Sequence, residues 1–422
     1  MTGGRWIGLL CLARVGYALV FVAYSATLGL LKADWGLSSA QAGLIQSAWH
    51  IGYLLSLFGV GFLSDRFGAK RTFLGTSLAA CVSAMAFALF ADGFVSALVL
   101  HGLAGLCSGG SYTPGLTLIA ERFSAERRGR MMGYFLAAAS FGYALSLWSS
   151  SLLIVTSGWR SALIVCALGP VAASVLAAWV LRTTPNVVHA ARHANPFRAL
   201  LEVWRNRPAM LAVWAYVFHS WELLGMWAWM PTYLGAVLAQ GAGGGAASHG
   251  SSASAASLGI AFAALTHLVG MAGSVIGRTL SDRWGRTAVI LLMSLCSLAC
   301  SFSFGWLIAA PAWIVVAVAI AYNLTAIGDS SVYSTALTEL VPAHSMGAAW
   351  ALRSVLGFGT GAISPWVFGL VLDLEQNAGG ARAVDAWGWA WTVLGVGAML
   401  GPIATLRLRA MRESRKMAGG KR

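Results

Sequence analysis

Ionisable side chains inside long apolar runs are the first residues of this sequence that point to chemistry. An Arg, Lys or Asp at the centre of a membrane helix costs roughly 2.5–3.5 kcal/mol, so each one calls for a task. Arg14 lies inside the apolar run 7–31, and Tyr17, Phe21, Tyr24 and Ser25 follow it at helical i, i+3/i+4 steps, which makes one polar-aromatic face. Arg353 lies at similar depth in the run 347–371, with Gly357, Thr360 and Ser364 following on its face. A guanidinium matches carboxylates and oxyanions bidentately, so two arginines from different parts of the chain would suit a clamp on an anion. The alternatives for each are snorkelling of the head group to the interface and pairing with an internal acid.

The run 210–236 offers such an acid. His219, Glu222, Met226, Trp229 and Tyr233 share one helical face. Desolvation favours the neutral form of a carboxyl, so Glu222 is a candidate proton carrier, or else it neutralises an arginine. Asp329, in Gly328-Asp329-Ser330-Ser331, is a second buried acid with structural pairing as its plainer reading. His50 stands beside Trp49 and one turn before Tyr53, which makes it and Tyr53 candidates for a binding cavity, whereas His101 and His267 read as packing residues. Tryptophans such as Trp35, Trp159 and Trp387 fall at the ends of runs, as an aromatic belt requires. No helix carries His-x3-His or a similar ligand spacing, there is no nucleophile–base set, and no Gly-x4-Gly-Lys-Ser/Thr loop occurs. An enzyme, an ATP-driven pump, a metal site and a bound cofactor are all unsupported.

The elements that must position these residues are membrane helices. The chain has 422 residues, 58% hydrophobic and only 10% charged, with a mean hydropathy of +0.73, too little polar surface for soluble domains. About 20 apolar residues span a bilayer core, and twelve such spans are predicted at about 7–31, 43–63, 73–91, 95–120, 131–155, 160–181, 210–236, 257–277, 288–308, 312–337, 347–371 and 388–406. The first span contains Arg14 and continues to Leu31, unlike a cleavable signal peptide. Of the 28 Lys and Arg residues, 23 fall at the N-terminus, in alternate loops and in the tail from Arg407, while the other connections hold Lys32, Arg160 and Arg382. That asymmetry places both termini in the cytoplasm and makes the net charge of +14 a topology signal rather than a mark of nucleic-acid binding. A polar stretch, 183–209, divides a first half, 1–182, from a second, 210–422; residues 240–257 read as a flexible, uncharged external loop.

The halves repeat. Phe62-Leu-Ser-Asp65-Arg66-Phe-Gly68-Ala-Lys70-Arg71 recurs 217 residues later as Thr279-Leu-Ser-Asp282-Arg283-Trp-Gly285-Arg286, and Glu121 recurs as Glu339. Two duplicated six-helix halves are a transporter architecture. At these residues the chain resembles the major facilitator superfamily, whose loop signature Gly-x-Leu-x-Asp-Arg-x-Gly-Arg-Lys/Arg is matched nearly completely from Gly61 to Arg71; the second copy has Arg278 in place of Gly61. Glu121-Arg122 through Arg128-Gly129-Arg130 is similar to the acidic-basic loop of that family.

The resemblance implies an all-α membrane fold of twelve helices in two pseudo-symmetric halves, working as a monomer that rocks about a central site. It implies that Asp65 latches onto the eleventh helix and Asp282 onto the fifth, that Gly68 and Gly285 make the tight turns, and that Arg66, Arg71, Glu121, Arg128, Arg283, Arg286 and Glu339 belong to the same cytoplasmic gate. His101 stands where the fourth-helix motif usually has arginine, and the fifth helix lacks the proline of many drug antiporters. Gly109-Gly-Ser-Tyr112-Thr-Pro114-Gly115 is more similar to permeases of the cyanate/nitrate type and of small organic anions. The expected function is secondary transport of a small anionic organic solute, with protons as a candidate coupling ion, in a bacterial inner membrane. Efflux of amphipathic compounds is the alternative, and it would call for an acid-rich, arginine-poor cavity.

Overall fold

The computed structural model describes residues 2–188, 196–241, 249–378 and 382–417. In chain order the first part comprises α1 (Gly3–Ala18), α2 (Ala23–Asp34), α3 (Ser39–Phe67), α4 (Ala69–Phe90), α5 (Phe94–Ser108), α6 (Thr113–Arg122) and α7 (Ala125–Leu181). A short α8 (Pro196–Arg205) lies in the linker; α9 (Arg207–Gly241), α10 (His249–Trp284), α11 (Arg286–Phe304), α12 (Ala312–Gly328), α13 (Ser330–Leu340), α14 (Met346–Asn377), α15 (Ala383–Ala398) and α16 (Leu400–Ala410) follow. No strand occurs among the described residues, as expected where a bilayer leaves backbone groups no water to bond.

Ten helical stretches among the described residues are long and apolar enough to cross a membrane. One of them, Arg127–Leu181, is 55 residues long and is interrupted at Gly158, whose φ is 78°, so it supplies two of the expected spans. The expected seventh span, α9, is 35 residues long but is not among the ten. Its middle carries His219, Ser220 and Glu222 amid four tryptophans, which lowers its apolarity. The stretch expected to be a loop up to residue 257 is helical from His249, since Ala and Ser tolerate a helix; residues 242–248 lie outside the described ones.

Two compact units emerge: one from Met1–Leu37, Leu44–Arg192 and Gly244–Ala264, the other from Ser38–Gly43, His193–Gly243 and Leu265–Arg422. In the first, Trp6, Leu10, Phe73, Leu118, Phe135 and Leu181 pack a core at the end that carries the loop signature. In the second, Val289, Ile290, Tyr333 and Leu408 form one cluster and Val203, Val213 and Leu337 another. Large apolar side chains such as Phe62, Leu78, Phe90 and Val175 point outward, the surface that lipid requires.

The second unit includes the beginning of α3, and one acid of α14 holds it. Asp373 accepts the Ser39 N–H on Oδ1 and the Ala40 N–H on Oδ2, both at 2.7 Å, satisfying two of the donors that a helix N-terminus leaves unpaired. A Cβ at Gly43 would fall on the Pro365 carbonyl oxygen, so the two backbones touch.

Four spans are broken, the last at Met399 between α15 and α16, and the other three breaks place the candidate site. α5 and α6 are separated by a 3-10 turn, Gly109–Ser111, as Gly109-Gly110 and Pro114 would dictate. α12 and α13 meet at Asp329, directly after Gly328. α1 and α2 are separated at Leu19-Val20-Phe21-Val22, which contains neither Gly nor Pro. There the Ser146 hydroxyl of α7 donates to the Leu19 carbonyl and replaces a lost helical bond.

Candidate functional site

In the first unit the guanidinium of Arg14 is buried, 6% exposed, and Nη1 donates to the Ser111 hydroxyl at 2.8 Å. Its carbon lies 5.6 Å from the Tyr112 ring centre and 5.5 Å from that of Phe135, cation–π distances. Nε has no hydrogen-bond partner, and no carboxylate among the described residues pairs with the group. Arg14, Tyr17, Phe21, Trp49, Tyr53, Ser108, Ser111 and Tyr143 line a cavity of about 10 Å³. Tyr17 is turned away through its hydroxyl, which bonds Ser174 at 3.1 Å. Trp49 and Tyr53, one turn apart on α3, stack at 5.1 Å and 11°. His50 accepts from Gln46 Nε2 at 3.1 Å, its Nδ1 has no partner, and its ring centre is 5.9 Å from that of Phe21.

The first-span face is therefore shorter than the helical spacing predicts. Arg14, Tyr17 and Phe21 share the cavity with Tyr53, and Phe21 also packs near His50, but the break at 19–22 carries Tyr24 and Ser25 elsewhere. Tyr24 packs on His101, with ring centres 4.9 Å apart, beside a separate cavity of about 20 Å³. Ser25 donates to Gln46.

In the second unit, Arg353 is 8% exposed and lies over the Tyr216 ring at 3.5 Å, with its Nε unpartnered. His219 places Nδ1 3.1 Å from Asp329 Oδ1 and Nε2 2.8 Å from the Ser330 hydroxyl. Glu222, one turn on, accepts from Ser297 on Oε2 at 3.1 Å while Oε1 has no partner. His219, Glu222 and Asp329 are at most 5% exposed, so they form a buried acid–imidazole group. Trp229 does not join them: its N–H donates to the Pro365 carbonyl at 2.9 Å and its ring stacks on Phe368. Trp387, expected at an interface, is buried against Tyr233 and Phe368 in the same aromatic cluster.

The gate candidates differ between halves. Gly68 and Gly285 both have positive φ, 84° and 92°, which only glycine adopts without strain. In the second copy Arg286 donates to Asp282 and Ser281, and its Nη2 reaches Glu339 at 3.1 Å, while Arg283 is exposed. The equivalent of Arg286 in the first copy is Ala69. There Asp65, Arg66, Arg71 and Arg128 are exposed, and Glu121 is half-buried. Lys70 instead donates to the Thr184 carbonyl at 2.8 Å, and Asn186 bonds the Phe67 carbonyl and the Arg71 N–H.

Ser111, Tyr143, Ser297 and Ser330 escape the sequence reading. A signal for the first exists: the 218-residue offset that relates Glu121 to Glu339 also relates Ser111 to Asp329. In each half, then, the broken span presents a polar residue to the buried charge or imidazole of that half's first span.

The linker helix α8 is tied down by Glu202, which accepts from the Ser345 hydroxyl at 2.7 Å and from His344 Nε2 at 3.0 Å. The Ser345 bond, more than His344, holds this exposed carboxyl below its usual range. Its contribution is therefore present above the unfolded value of about 4.3 and is lost as pH falls through the lowered folded value. A Glu202→Gln variant is expected to melt below the wild type at pH 7 and to converge with it on acidification; thermal midpoints across that window check this.

A family model described as Major Facilitator Superfamily matches residues 10–365. A cis,cis-muconate transport protein of Acinetobacter baylyi is 30% identical over 231 residues, 52% of this chain and 54% of that one. The niacin transporter NiaP of the same organism is 30% identical over 162 residues, 38% and 37% of the two chains. The chain spans about half the length of the curated relatives it matches. A solved D-xylose–proton symporter superposes with a TM-score of 0.76 at 16% identity, over 97% of this chain and 98% of that one, a likeness of fold.

Proposed function

This chain belongs to the major facilitator superfamily, and on that premise we propose that it is a secondary transporter of a small organic anion, driven by protons through alternating access. The observation that carries the reading is Arg14: a buried cation with no counter-ion among the described residues is costly, unless the missing partner is the ligand. Arg353 supplies a second such cation in the other unit. The buried His219–Asp329–Glu222 group supports proton coupling, because among the described residues its acids have no cation to neutralise beyond the imidazole. That relatives carry muconate and niacin, both carboxylates, favours an anion. The two loop motifs, with Glu121 and Glu339, serve as the cytoplasmic gate; both termini lie on that side of a bacterial inner membrane, and a monomer suffices.

Ligand-dependent thermal stability of the purified protein tests this, because a ligand that binds only the folded state raises the midpoint. Nicotinate or cis,cis-muconate is expected to stabilise the protein. Stabilisation by tetraphenylphosphonium instead, unchanged in Arg14→Gln and Arg353→Gln, would overturn the reading in favour of efflux of lipophilic cations.

A further inference from the structure

The ring around which the first unit's cavity closes is Phe21, and it stands in the non-helical segment between α1 and α2. On one side are the stacked Trp49 and Tyr53, which Phe21 meets edge-on at 4.6 Å and 75° and at 6.1 Å and 86°. On the other is Tyr143, at 4.6 Å and 34°. These separations fall in the range at which aromatic rings attract one another beyond their buried area. Phe21 thus fills a place enclosed by aromatic rings, nearly perpendicular to the Trp49–Tyr53 stack and tilted against Tyr143, and the same cavity is lined by Arg14 with its unpartnered Nε. Volume decides what this place admits. About 10 Å³ remains, whereas a cavity that holds benzene measures about 150 Å³, so no second ring enters while Phe21 stays.

We infer that this site takes a planar, conjugated carboxylate, and that Phe21 occupies the place of the ligand's π-system until the ligand displaces it. The inference rests on the anion reading above and names its substrate class. The carboxylate goes to Arg14, beside Ser111; the flat part goes between Tyr143 and the Trp49–Tyr53 stack. Displacing Phe21 breaks ring contacts but no helical turn, because its segment lies between α1 and α2 and the Leu19 carbonyl is already served by Ser146. A saturated acid of equal size keeps the charge contact and loses the ring contacts, which lowers its affinity several-fold to about tenfold.

Titration calorimetry on the purified full chain, with benzoate against cyclohexanecarboxylate and sorbate against hexanoate, tests this. The conjugated member of each pair is expected to bind several-fold to about tenfold tighter. Phe21→Ala, which vacates this place, is expected to tighten benzoate binding and widen the ratio, and Arg14→Gln to abolish binding of all four acids. Should Phe21→Ala fail to fold, Phe21→Leu acts in the same direction. Equal affinities within each pair, or weaker benzoate binding in the Phe21 variant, overturn the inference, and the anion reading survives if Arg14→Gln still abolishes binding. Acids that do not bind, or whose binding ignores Arg14→Gln, overturn both.

Discussion

Arg14→Gln is expected to weaken binding of nicotinate or muconate by about 30-fold or more, because truncating one partner of a buried charge pair costs about 2–5 kcal/mol. Glutamine keeps a donor for Ser111, so the fold around the broken fourth span should persist, and the loss should appear in affinity rather than in the midpoint of the unliganded protein. The unliganded variant is expected to be no less stable than wild type, since it no longer buries an uncompensated charge. Isothermal titration together with melting of the free protein separates these effects. Equal affinity in wild type and variant would remove Arg14 from the site.

The second large effect concerns the energy source. An inward gradient of one pH unit supports about tenfold accumulation for each proton carried with the solute. In proteoliposomes Glu222→Gln is expected to erase that accumulation while exchange of labelled for unlabelled solute continues, because exchange moves no net proton. Glutamine still accepts from Ser297, so the packing of α9 on α11 is retained. Asp329→Asn is expected to give the same separation, with an added loss of stability, because His219 then loses its charged neighbour. Accumulation that survives in both variants would mean that the buried acids are structural.

Hydropathy and charge made much of this architecture legible. A run of 20 apolar residues has few alternatives to a spanning helix, and the Gly68 and Gly285 turns are marked by glycine because a positive φ demands it. The site was legible only where it follows helical periodicity. Arg14 and Tyr17 lie on α1 at the spacing expected and Phe21 reaches the same cavity from the turn that follows, whereas Tyr24 does not, because helix periodicity assumes a helix that here stops at Ala18. Ser111 and Tyr143 come from other spans, and no pattern within a single span records which of its neighbours it will touch. Trp229 looked like a site residue by spacing, yet its N–H and ring were both taken by α14. Asp373 drew no attention because its partners are main-chain amides, which no side-chain motif displays.

The interruption of the first span at Leu19–Val22 has a mechanical implication. Nothing in Leu-Val-Phe-Val forbids a helix, so residues 3–34 by themselves would run as one uninterrupted rod; the bend is imposed from outside, in part by the Ser146 hydroxyl. A bend written into the chain by proline is permanent, whereas one imposed by a neighbour lasts only as long as the neighbour stays. The interruption of the first span is accordingly held by a side chain of another span rather than by the first span's own sequence, so a change at Ser146 bears on the path of residues 19–22.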